Sequence, residues 1–251
     1  MSYRDIFEQR GRLYNEAHII APHARDAEAV TLLEWLQPQA GETIVITAAG
    51  GGYDARRIAE FLVPESARLI CVEPSERFSS GIPKSFQVLN TPLDRIPLPD
   101  EQANAVINLA ALHHCVNRDD LFDEWHRLLK PGGRMVIADV EVDSPNGEFL
   151  NRVVNKFTPG GHNGIFLIPG QLSETFINKG YVEVEEQLES FVWNFLNKQE
   201  MIDFSRSLFG MLHASDKDIL SGIERHLGIL QGNNPPVTCP WSLRFFRAFK
   251  P

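Results

Sequence analysis

Apolar and polar positions follow two alternating rhythms along the first 140 residues of this 251-residue chain. Residues 1–40 read as helical. Val30, Leu33 and Leu36, with Leu32 and Trp35 beside them, make one apolar face that Pro38 and Gly41 close. The β-branched run Thr43-Ile44-Val45-Ile46-Thr47 predicts a strand, followed at once by Ala48-Ala49-Gly50-Gly51-Gly52. Ala55, Ile58, Ala59 and Leu62 return to helical spacing up to Pro64, and Arg68-Leu69-Ile70-Cys71-Val72-Glu73 is a second strand, ended by Pro74. Strand, glycine turn, helix and strand compose a βαβ unit with a parallel pair.

The alternation continues through a short strand at 85–89 and an apolar strand at 105–109 whose end carries Leu112-His113-His114. Leu121, Phe122, Trp125, Leu128 and Leu129 share a helical face that Lys130-Pro131-Gly132-Gly133 stops, and 134–140 is the next buried strand. This rhythm implies a doubly wound, mainly parallel α/β sheet. Beyond residue 140 it loosens. A helix is expected at 147–158, then the loop Pro159-Gly160-Gly161-His162-Asn163-Gly164, a helix at 169–180 and an extended stretch at 181–195. A helix at 200–209 is capped by Gly210, and Ser215-Asp216-Lys217-Asp218 resembles a capping box opening a helix that ends near Gly228. A polar turn at 231–236 precedes a last strand at 241–249. The expected organisation is one domain over 1–251: a helical N-terminal segment (1–40), an alternating core (41–140), and a C-terminal half (141–251) with an inserted helical cap near 197–230.

With 24 Lys plus Arg against 33 Asp plus Glu, the net charge is −9, and no basic run is present to neutralise phosphates. A small-molecule substrate is therefore expected rather than a nucleic acid. No window approaches a membrane span, and the N-terminal segment lacks the apolar stretch of a secretion signal, so a cytoplasmic protein without membrane attachment is expected. Cys71, Cys115 and Cys239 lie far apart with no CxxC pair, which argues against disulfides or a thiolate zinc site.

The glycine turn opens space where a strand feeds a helix, and the helix N-terminus offers free N–H groups there. Glu73, 21 residues after Gly52, ends the next strand, where an acid can accept hydrogen bonds from both hydroxyls of a ribose. Together they indicate a nucleoside-containing ligand at the strand ends. Two candidate bases follow, His113 and His162, since imidazole titrates near neutrality. No metal is expected. Asp119-Asp120 and Asp123-Glu124 read as a solvated helix face, and Asp139, Glu141 and Asp143 share a side only while their strand stays regular. Cys115 reads as a structural thiol. Phe149, Phe157, Phe166, Phe191, Trp193, Phe195, Phe204 and Phe209 concentrate aromatic area in the later half, which serves cap packing and an apolar acceptor pocket alike.

The run Leu128-Leu129-Lys130-Pro131-Gly132-Gly133-Arg134-Met135-Val136-Ile137-Ala138-Asp139 resembles the "LLKPGG" turn and fifth strand of class I S-adenosylmethionine-dependent methyltransferases. Ala111-Leu112-His113-His114 is similar to that family's fourth-strand end, Pro97-Leu98-Pro99-Asp100 to its "LPFPD" segment, and Tyr14 with Arg25-Asp26-Ala27-Glu28 to its lid. The resemblance covers roughly residues 41–140 and implies a Rossmann-like, seven-stranded sheet, with 41–140 as a cofactor-binding core and 1–40 as a lid. It implies methyl transfer from S-adenosylmethionine to a small, lipophilic or aromatic molecule. Ala48, Gly50 and Gly52 would then admit the cofactor backbone, Glu73 and Pro74 meet the ribose, and Leu93 and Asp94 flank the adenine. Asn108 and Leu109 would meet the methionine part and Tyr14 cover it. Against the family pattern, Ile46 replaces an acid, Ala48 a glycine, Pro92 an adenine-contacting Asp, and Asn104 an Asp. A missing charged hydrogen bond is worth about 1.5–3 kcal/mol, or roughly ten- to a hundredfold in affinity. The other reading these departures allow is a methyltransferase-fold protein without methyl transfer, either a ligand-binding pseudoenzyme or a cofactor-independent cyclase or hydrolase. A nicotinamide dehydrogenase fits less well, for the turn lacks GxGxxG.

Overall fold

The computed structural model describes residues 3–162, 164–231 and 236–251. Two helices, α1 (Tyr3–Ile20) and α2 (Asp26–Leu36), precede the alternating core: β1 (Thr43–Thr47), α3 (Tyr53–Leu62), β2 (Arg68–Val72), α4 (Glu76–Ser79), β3 (Gln87–Leu89), β4 (Ala103–Leu109), α5 (Arg118–Leu128) and β5 (Leu129–Asp139). Then come α6 (Pro145–Phe149), a π turn (Leu150–Val154), α7 (Asn155–Phe157), α8 (Gln171–Asn178), β6 (Val182–Phe195), α9 (Lys198–Phe209), α10 (Asp216–His226), β7 (Leu230–Gln231) and β8 (Val237–Phe249). The strands lie in the order β3-β2-β1-β4-β5-β8-β6, with the two-residue β7 pairing β8. The five strands up to β5 are parallel, whereas β8 runs antiparallel to β5 and to β6. This is the expected Rossmann-like sheet of seven main strands.

The continuous apolar runs explain the middle of the sheet. Ile44, Val45 and Ile46 are fully buried, their alternate faces joining two cores on opposite sides. Three boundaries differ from the sequence reading. The Lys130-Pro131-Gly132-Gly133 turn lies inside β5 instead of ending a helix: Leu129 pairs with Ala103, the register shifts, and Arg134 pairs with Ala105. Gly132, at φ 74°, absorbs the extra residues, and its N–H donates to the Lys250 carbonyl. The helix expected at 147–158 starts earlier, because Ser144 caps it through the Gly147 N–H. The last strand begins at Val237, because β6 pairs with β8 as far as Phe195. The polar turn expected at 231–236 falls mainly outside the described residues.

The paired β6 and β8 extend past the rest of the sheet, and Trp193 stacks on Trp241 there at 4.2 Å. The inserted α9 packs on α1, and α10 packs on α6 and α9. Gly11 lets α1 settle against α4, since a Cβ at that position would meet Phe78 at 2.7 Å. Among the described residues no helix is long and apolar enough to cross a membrane.

Arg134 ties α2 to the sheet. Its guanidinium donates to both Glu42 carboxylate oxygens, at 2.7 and 2.6 Å, and to the Leu36 and Gln37 carbonyls that end α2. Removing one member of a buried pair strands the other. Arg134→Met is expected to lower unfolding stability by about 3 kcal/mol in a denaturant titration.

Candidate functional site

Parallel strands end on one side, so the carboxyl ends of β1, β2, β4 and β5 bring the predicted residues together. Glu73 follows β2 and is completely buried. One carboxylate oxygen accepts the Ser75 N–H at 2.9 Å. The other accepts the Gly50 N–H at 2.9 Å and the Tyr3 hydroxyl at 2.8 Å. Burial pushes its carboxyl up to about 7, against the lowering effect of those three donors.

The glycine turn is shaped for close approach, and other parts of this chain make that approach. Ala48 and Gly50 both take φ 53°. A Cβ on Gly50 would lie 2.6 Å from the Phe78 ring, and one on Gly51 would lie 1.9 Å from Asn15 Oδ1. Phe7 stacks on Phe78 at 4.7 Å, and Tyr14 meets it edge-on at 4.9 Å. Thus α1 stands over the turn with Tyr3, Phe7, Tyr14 and Asn15. Gly52 faces Ile82 instead, while Gly51 lines the crevice.

Beside the turn, Pro74, Leu93 and Asp94 line one opening with Tyr3, Asn90 and Pro92. Asn108 Nδ2 donates to the Thr47 carbonyl and hydroxyl, leaving its buried Oδ1 without a partner; Leu109 lines the crevice with Ala110. Tyr14 reaches the crevice and its hydroxyl accepts from Arg25 at 2.9 Å.

His113 lies in the 3-10 turn Leu112–His114 after β4. Its Nδ1 is 2.6 Å from Asp139 at the end of β5, and its backbone N–H donates to the other Asp139 oxygen at 2.8 Å. Burial opposes ionising Asp139, yet His113 and the Val140 and His113 N–H groups hold its carboxyl below the usual range. An ionised carboxylate only accepts, so Nδ1 carries a proton and Nε2 is the nitrogen turned away from Asp139. His162 is brought to the same place by the 159–161 loop, its ring 5.3 Å from His113 and 5.2 Å from His114. Burial, together with His113 and Arg10, lowers His162 to about 3. Arg10 on α1 donates to the Pro159 and Gly161 carbonyls.

These imidazoles open on a mainly apolar pocket with Phe7, Leu150, Trp193, Phe209 and Trp241 in its wall. A buried Arg25–Glu28 ion pair sits in the same wall, and Glu28 also accepts from Trp193 Nε1 at 2.9 Å.

Three participants escaped the sequence reading: Tyr3, Asp54 and the Asp139 partnership. Asp54 lines the crevice from the first turn of α3, and burial pushes its carboxyl up to about 7, Arg25 lowering it and Glu28 raising it. The Asp139 pairing had a signal, because β4 and β5 were expected as successive parallel strands. Tyr3 and Asp54 had none beyond residue type. Cys115 is buried, with its thiol pushed up to about 12 by burial, as a structural thiol should be.

Residues 47–137 match the methyltransferase-domain family. The chain is 30% identical over 135 residues to a ubiquinone/menaquinone biosynthesis C-methyltransferase from Caulobacter sp., covering 49% of this chain and 53% of that one. It is 26% identical over 128 residues to an S-adenosyl-L-methionine-dependent Diels-Alderase from Talaromyces variabilis, covering 47% and 42%. The chain thus spans about half the length of these curated relatives. A solved structure from Thermotoga maritima, described as a possible histamine N-methyltransferase, superposes with TM-score 0.65 at 18% identity, covering 98% of this chain and 99% of that one. Residues 47–137 thus match a methyltransferase domain, and the chain as a whole has the fold of solved methyltransferases.

Proposed function

We propose that this protein transfers a methyl group from S-adenosylmethionine to a small, largely apolar molecule bearing one ionisable hydroxyl. The observation that carries the reading is Glu73, a buried carboxylate between the Gly50 and Ser75 N–H groups at the end of β2. Glu73 would hold the ribose once the Tyr3 hydroxyl leaves it. Leu93 and Asp94 flank an opening wide enough for the adenine. Asp54 supplies, from α3, the carboxylate that Ile46 denies at the end of β1, and so faces the amino-acid end of the cofactor. When bound, the cofactor supplies an electrophilic methyl on a sulfonium.

The acceptor lies in the aromatic pocket with its hydroxyl toward His113. Asp139 keeps Nε2 of that imidazole free to take the hydroxyl proton, and the imidazolium that results is stabilised by the same carboxylate. His162 stays neutral beside it and offers a second polar contact. Leu150, Trp193 and Trp241 keep water from the reacting atoms. A second reading has one observation in its favour: Phe78 and Asn15 occupy the space that the glycine turn leaves. In that reading the pocket serves a reaction without methyl transfer, such as a cyclisation.

Three outcomes test the proposal. Calorimetric titration should show micromolar binding of S-adenosylmethionine or of its demethylated product, and Glu73→Ala should weaken it roughly ten- to a hundredfold. No binding to the native protein at millimolar ligand would favour the second reading.

The pH dependence has a definite sign. Glu73 and Asp54 both have folded values near 7, above those of free carboxyls, so the stability they lend the ligand-free protein is complete below about pH 4 and is lost as pH rises to 7. Cofactor binding needs both ionised, so affinity should rise between pH 6 and 8 with proton release, on the order of one to two protons, read by calorimetry in buffers of different ionisation enthalpy. Asp139→Asn should lower kcat by about a hundredfold with little change in KM for the cofactor, measured once an acceptor is identified.

A further inference from the structure

We propose that His113, His114 and His162 together bind one divalent transition-metal ion of the zinc class at the inner end of the acceptor pocket. One nitrogen from each imidazole lies within 4.8 Å of those of the other two. Zinc–nitrogen bonds of about 2.0–2.1 Å in tetrahedral geometry set ligand nitrogens roughly 3.4 Å apart. Small ring rotations, closing the set by about an ångström, would complete the site.

Three further observations favour an ion over a chance meeting of rings. His113 already has the partner that a ligating imidazole requires: Asp139 accepts a hydrogen bond from Nδ1–H, which fixes the tautomer and makes Nε2 a better ligand. Nδ1 of His162, a side chain only 6% exposed, is buried without a hydrogen-bond partner, a cost that coordination would remove. Gly164 passes against two of the rings, and a Cβ there would stand 3.0 Å from His162 Cε1 and 3.1 Å from His113 Cδ2.

The absence of a metal expected from sequence considered carboxylates; here the donors are imidazoles from two segments. Three neutral nitrogens without a thiolate suit zinc, cobalt, nickel or iron, and leave a fourth position facing the pocket. The Cys115 sulfur points to the Ala111 carbonyl instead. Arg10 lines the same pocket as the three imidazoles, and two adjacent cations favour an anionic oxygen as fourth ligand. This deepens the preceding reading, on which it rests only for the acceptor. With the ion bound, the acceptor oxygen would be its fourth ligand, and the ion rather than His113 would promote loss of the hydroxyl proton, released to bulk solvent as the acceptor enters.

The test needs no acceptor and no cofactor. Protein stripped with a chelator is titrated with Co²⁺, followed by its visible ligand-field absorption, and then with Zn²⁺ in competition. One equivalent per chain with an intense tetrahedral spectrum is expected. His162→Gln and Asp139→Asn should each weaken binding about 10- to 100-fold, while His213→Ala, outside the cluster, should leave it unchanged. Circular dichroism checks that each variant is folded. Failure of the native protein to take up one equivalent, or equal binding by His162→Gln, would overturn the proposal. Cofactor binding without metal uptake would leave the methyl-transfer reading standing, and metal uptake without cofactor binding would do the reverse.

Discussion

Parallel pairing of β1 with both β2 and β4 is the constraint on which the rest of this molecule depends. Parallel neighbours must finish on the same side, so the glycine turn after β1, Glu73 after β2, the histidines after β4 and Asp139 ending β5 share one rim. None of these groups is near another in sequence. Their meeting is enforced by the backbone ladder and by Ile44, Val45 and Ile46, which bury both faces of the central strand. The antiparallel β6–β8 pair adds a wall beyond that rim. Trp193 and Trp241 stand on this extension, and the same two strands that complete the sheet therefore shape the pocket.

The rim combines burial with charge in an economical way. Glu73 and Asp54 are buried carboxyls whose ionisation is opposed by burial, whereas the His113 ring, with two backbone donors, holds the equally secluded Asp139 below the usual range. Environment, not residue type, separates the two behaviours.

Much of this was legible because it is local. The strand β1, the helix α3 and the glycines between them follow from β-branched and helical periodicities, and the Ser215 capping box is seen as read. The histidine pair after β4 was legible for the same reason. What was not legible depends on contacts across the chain. Nothing near Tyr3 announces that its hydroxyl meets a residue 70 positions away, and Asp54 looks like any acid in a first helical turn. Lys130-Pro131-Gly132-Gly133 has turn chemistry, and the turn was absorbed as a bulge because β8 supplies Lys250 as its partner. His162 was singled out as a loop histidine, but only the fold reveals that two other imidazoles await it.

The first helix carries a consequence of its own. Tyr3 at its start rests on Glu73, and Arg10, two turns further on, grips the carbonyls of Pro159 and Gly161 beside His162. One helix therefore braces both ends of the rim, the Glu73 carboxylate through Tyr3 and the loop that presents His162 through Arg10, so the two share a single support.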